Sequence, residues 1–85
     1  MISINIDKSV IDSDKFLDMP KTSQLLYFMF LFGADELGVV YNSRTIIRSN
    51  GFASDDYKML LEKKFVREMY DAKGECRGID IIDWE

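Results

Sequence analysis

The sequence predicts a small α+β domain, and three features carry that expectation. Apolar residues recur at helical spacing through the first two thirds of the chain. The last third holds two runs of aromatic and β-branched residues separated by a glycine-containing polar loop. The composition, 47% hydrophobic and 13% aromatic over 85 residues, is rich enough to give one domain a core and too short for two.

Taken in order, Ile2, Ile4 and Ile6 alternate with Ser3 and Asn5, the period of a short half-buried strand. Ser13 is placed to cap a helical turn reaching Asp18, with Phe16 and Leu17 expected inward, and Pro20 resets the chain for a new helix. From about Thr22 to Asp35 the pattern is helical. Leu25, Phe28, Met29 and Phe32 form one stripe, Leu26, Phe30 and Gly33 a neighbouring one, and Leu31 widens the apolar surface further. Such a helix is either central to the core or buries part of its face on another chain.

Val39-Val40-Tyr41 reads as a brief strand after Gly38. Asn42 or Ser43 caps a helix over roughly 43–50 with Ile46 and Ile47 inward, and Asn50-Gly51 marks a turn. Ser54 is expected to cap a further helix over roughly 55–64. Asp55 and Asp56 lie at its start and Lys63 and Lys64 at its end, in line with the helix dipole. Tyr57, Leu60 and Leu61 are its buried positions. Phe65–Tyr70 and Cys76–Ile82 are two strands joined by residues 71–75, a hairpin with Ile79 and Ile81 on one face and Asp80 on the other. Two short helices with a tight turn, followed directly by a hairpin, describe a winged helix-turn-helix: a three-helix core with a short N-terminal strand and a C-terminal β-hairpin wing.

Charge and composition narrow the function. The absence of histidine removes the commonest general base and metal ligand, and the lone Cys76 builds neither a zinc site nor a disulfide. No phosphate loop or dinucleotide fingerprint is present, so no enzyme, cofactor or metal is expected. The longest apolar run, Leu25–Gly33, falls short of a membrane span. With no basic, apolar leader at the start, a cytoplasmic protein is expected.

The net charge of −4 opposes nonspecific coating of nucleic acid. Yet between residues 40 and 77 eight cations face six carboxylates, while both flanks are acidic. Arg44 and Arg48, four apart on one helix, share a face. Lys64 ends the next helix, Arg67 and Arg77 lie on the hairpin strands, and Lys73 is at the wing tip; together these could hold phosphates. Lys58 and Lys63 project from the third core helix beside Asp55, Met59 and Glu62, a mixed face ill suited to the major groove. Trp84 is expected to cover a core edge rather than to stack on a base.

Several stretches resemble the phage-type replisome organisers. They are Ile11-Asp12-Ser13-Asp14-Lys15-Phe16-Leu17-Asp18-Met19-Pro20, Ser23-Gln24-Leu25-Leu26-Tyr27-Phe28 and Ala34-Asp35-Glu36-Leu37-Gly38. The likeness continues through Gly51, Asp55-Asp56, Lys58, Leu60-Leu61, Lys63 and Phe65 to Ile81-Ile82 and Trp84. It implies a winged-helix N-terminal domain related to the DnaD-type primosomal proteins of low-GC Gram-positive bacteria and their phages. The implied role is in starting DNA replication: binding origin DNA, self-assembling, and recruiting a helicase loader or helicase. Members of that family usually continue into a linker and a C-terminal domain, so the chain is either an excised domain or a small stand-alone homologue.

Three departures stand out. Met29 and Gly33 replace positions often polar in the family, the loop usually rich in aspartate keeps only Asp35 and Glu36, and Ala53-Ser54 stands where serine is usually one place earlier. The resulting expectation is a DNA-binding replication-initiation domain that also self-associates through Ile2, Ile4, Ile6, Met29 and Phe30. The alternatives are an oligomerisation module without DNA contact and a small winged-helix transcriptional regulator.

Overall fold

The computed structural model describes residues 8–82 and Trp84. Two single-turn helices open it, α1 (Lys8–Ile11) and α2 (Asp14–Leu17), followed by the long α3 (Lys21–Gly33), β1 (Val39–Val40), α4 (Ser43–Ser49), α5 (Ser54–Glu62), β2 (Val66–Tyr70) and β3 (Cys76–Ile81). The strands form one antiparallel sheet in the order β1-β3-β2. The class is therefore α+β, as expected. The strand anticipated at Ile2, Ile4 and Ile6 lies outside the described residues.

Each short element has a local cause. Ser13 caps α2, its hydroxyl accepting from the Phe16 amide at 3.2 Å. That turn aims Phe16 into the core, where its ring meets Tyr27, Phe28 and Phe65 edge-on at 5.5–5.7 Å. Burying a phenylalanine contributes about 2–3 kcal/mol, which explains why so short a helix persists. Leu17 does not follow it inward as expected; it is 53% exposed, because a single turn can direct only one of two adjacent side chains to the core. Pro20 takes the N-cap position of α3, where a missing N–H costs nothing.

The faces of α3 are distributed otherwise than the apolar pattern suggests. Leu26, Tyr27, Phe30 and Leu31 are buried, while Leu25 and Phe32, the ends of the stripe expected inward, are 54% and 63% exposed. Phe30 is wholly enclosed, its ring edge-on to Tyr57 at 6.3 Å, and so cannot serve self-association; Met29 is half-buried. The choice of face follows from a polar anchor at the helix start. Ser23 is fully buried, and its hydroxyl, with that of Thr22, donates to the Asp56 carboxylate on α5. Asp56 also accepts the Ala53 amide at 3.1 Å. Ala53, not Ser54, is the N-cap of α5, and Asp56 supplies the reaching-back half of a capping box whose other half an alanine cannot make.

Helices α4 and α5 both end in Schellman turns. After α4 the Gly51 amide donates to Arg48 and the Phe52 amide to Ile47, with Gly51 at φ 71°. After α5 the Lys64 amide donates to Leu61 and the Phe65 amide to Leu60, the buried Leu60 and Phe65 making the accompanying apolar pair. Here the left-handed position is held by Lys64 at φ 62°. Lys63 and Lys64 therefore fall just past the helix rather than in its last turn. Relieving the Cβ strain with Lys64→Gly should stabilise the domain by about 0.5–1 kcal/mol, read as a rise of a few degrees in the circular-dichroism melting midpoint. An unchanged or lower midpoint would contradict the strain argument.

The sheet closes the core. Val40, Val66, Ile79 and Ile81 are buried on its helix side. On the other face Arg67 is cross-strand to Asp80 and bonds it. Asp35 shapes the turn before β1, its carboxylate accepting from the Leu37 and Val39 amides at 2.8 and 3.0 Å. Trp84 lies against the Gly38 backbone and donates its indole N–H to the Glu36 carbonyl at 2.9 Å, the packing role expected for it.

Candidate nucleic-acid interface

Eight cations are the candidate DNA contacts, Lys58 and Lys63 among them, and the fold divides them. Arg44, in the first turn of α4, and Arg77, on β3, line one cleft of about 110 Å³, together with Asn42, Ser43, Thr45 and Cys76. Arg48 is exposed one turn further along α4. No ion pair within the described residues involves Arg44 or Arg48.

Arg77 is tethered but not consumed. Its Nε donates to Asp71 at 2.9 Å, leaving the four Nη hydrogens for another acceptor. Asp71 is fixed in turn by the Lys73 and Glu75 amides at 2.9 and 3.0 Å. The backbone bond from Glu75, then the Lys73 amide, the Arg77 side chain and the Gly74 amide, hold its carboxyl below the usual carboxylate range. The hairpin loop, with Lys73 exposed in it, is thus pre-shaped, and it orients Arg77 from one side.

The other cations are less available. Arg67 uses both its Nε and an Nη on the Asp80 carboxylate, at 2.8 and 2.6 Å, whereas Arg77 uses only its Nε on Asp71; each pair balances its cation's charge locally, and Arg67 keeps fewer free donors. On α5 the exposed face carries Asp55, Lys58 and Glu62, two carboxylates to one amine. Met59 and Lys63, expected outward, are half-buried instead, with Met59 packed on the core. Lys64 is exposed at the turn after α5. The α5 face has the composition of a solvated surface, not of a groove reader.

Sequence reasoning missed the polar lining between the two arginines. Ser43 is only 5% exposed, yet its hydroxyl makes no hydrogen bond within the described residues. It also passed over a second polar group beside the core, in which the Tyr57 hydroxyl faces the Glu68 carboxylate from β2. Burial first, and then that carboxylate, push the Tyr57 phenol well above its ordinary range.

Among the described residues no helix is long and apolar enough to cross a membrane. In comparisons with known proteins, no family model, curated protein or solved structure matches the chain.

Proposed function

We propose that this domain is a winged helix-turn-helix that binds DNA, in the manner expected of a replication-initiation or replisome-organiser domain. In this reading α4 and α5 are the helix-turn-helix, joined by the Gly51 turn. The β2–β3 hairpin is the wing, and phosphates are held by Arg44 and Arg48 on α4 together with Arg77 and Lys73 of the hairpin. The observation that carries the reading is the meeting of Arg44 and Arg77 in one cleft, against a molecule whose net charge is −4. Cations concentrated against the sign of the whole chain are the footprint expected of a localised phosphate contact. The face of α5 argues for backbone-led rather than base-led recognition.

Fluorescence anisotropy with labelled duplex DNA, titrated across salt, tests this. Binding should weaken steeply with salt. The double variant Arg44→Ala/Arg48→Ala should lower affinity about 10- to 100-fold and reduce the salt slope by about two. No binding to any duplex at low salt would overturn the proposal.

A second reading, an assembly module, is favoured by one observation: Leu25 and Phe32 lie exposed along the same side of α3. Light scattering separates the two. Self-association weakened by Phe32→Glu with DNA affinity retained would assign α3 to assembly, and a monomeric mass at high concentration would remove that reading.

A further inference from the structure

We propose that the cleft between the start of α4 and β3 is a specific seat for a single phosphate group of a nucleic-acid backbone, with the Ser43 hydroxyl as a hydrogen-bond donor. The inference deepens the DNA-binding reading and rests on it. Ser43 is nineteen-twentieths buried, and burying a hydroxyl without a partner costs free energy. No fully enclosed side-chain polar atom among the described residues lacks a hydrogen bond. Among the described residues the Ser43 hydroxyl makes none, so its oxygen is not fully enclosed, and Ser43 lines the cleft. It is a donor waiting for an acceptor from outside.

The rest of the lining identifies that acceptor. Arg44 and Arg77 both line this cleft, so two cationic side chains start from it, and Thr45 lines it as a second hydroxyl-bearing residue. Arg77 presents a fixed geometry because Asp71 holds its Nε, the arrangement in which a guanidinium loses least on binding an oxyanion. Among the described residues Asp71 is the one carboxylate bonded to the lining, and its charge is already matched by Arg77 and by backbone amides. Size decides between a whole ligand and a single group. About 110 Å³ is below the roughly 300–1,000 Å³ of small-molecule sites. It is nevertheless ample for a tetrahedral oxyanion, since a water takes about 30 Å³ in the liquid. A nucleotide would have to leave its base and sugar outside, as a strand passing over the surface does.

Two titrations followed by amide NMR test the seat, one with inorganic phosphate and one with a short DNA duplex. Both should shift residues 41–45 and 76–78 first. Ser43→Ala leaves the net charge unchanged, so its effect isolates the hydroxyl; it should weaken both ligands about three- to tenfold, with an unaltered circular-dichroism melt. Arg44→Gln should weaken both about tenfold, and Lys21→Gln, outside the cleft, less. Duplex binding indifferent to Ser43→Ala and Arg44→Gln would overturn the seat while leaving DNA binding standing elsewhere. Phosphate-induced shifts at the cleft without any duplex binding would overturn the nucleic-acid occupant and point to a small phosphate compound instead.

Discussion

Asp56→Ala should cost about 3 kcal/mol of stability, measured by urea unfolding. The carboxylate is buried and takes three donors: the hydroxyls of Thr22 and Ser23 on α3 and the Ala53 amide at the head of α5. Hydrogen bonds to a charged acceptor are each worth about 1.5–3 kcal/mol, but their losses do not add fully. Thr22 is exposed and can turn to water. Ser23 cannot, being fully buried, and it would keep an unsatisfied hydroxyl. Since domains of this kind have about 5–15 kcal/mol in hand, the loss is a large fraction of the whole. Asp56→Asn retains an acceptor and should recover part of it. A loss below about 1 kcal/mol for the alanine variant would show that α3 and α5 are held by their apolar contacts alone.

The second large effect is expected at Gly78. A Cβ there would sit 2.3 Å from the Val40 carbonyl oxygen and 2.9 Å from the Tyr41 Cα, both backbone atoms that cannot step aside. Its φ of 143° is also one that side chains rarely adopt. Gly78→Ala should therefore push β1 off β3, at a cost of about 3 kcal/mol or more, with a correspondingly depressed melting midpoint. Gly74→Ala is the comparison. Its φ is also positive, but no atom lies within 4 Å of the added carbon, so about 1 kcal/mol is expected. Equal costs at the two positions would mean that conformational strain, not the approach of β1, governs Gly78.

Much of the architecture was legible in the sequence because local signals suffice for it. Ser13, Pro20 and Gly51 punctuate the chain where the helices start and stop, and alternation through Ile79, Asp80 and Ile81 sets the sheet faces. The orientation of α3 was not legible. Its residues are apolar on nearly every side, so periodicity cannot choose between the Leu25–Phe32 stripe and the Leu26–Phe30 one. The choice is made by Ser23, a polar residue drawn inward by a carboxylate 33 positions away. Ser54 misled for a related reason: it has the chemistry of a cap, but Asp56 secures the helix start from inside and leaves the cap position to alanine.

The candidate site was half legible. Arg44 and Arg77 stood out as cations, but they also lie 33 residues apart, and only the packing of α4 on β3 brings them to one cleft. Nothing in the local sequence distinguishes Ser43, a buried residue whose hydroxyl is unpaired among the described residues, from an ordinary helix-start serine. Lys58, Arg67 and Lys63 were equally prominent as charges, and the fold sets them beside carboxylates or half-buries them.

The seat of Trp84 gives the molecule a built-in optical probe. It is the chain's single tryptophan, so all indole emission comes from one spot, where the ring lies on the Gly38 backbone and is bonded to the Glu36 carbonyl. That spot joins the end of the sheet to the turn after α3, whereas the far-ultraviolet signal is dominated by the helices. Emission and ellipticity therefore watch different parts of one small cooperative unit. Coincident transitions would mark it as two-state, and an emission change at lower denaturant would mark the strand end as the first part to open.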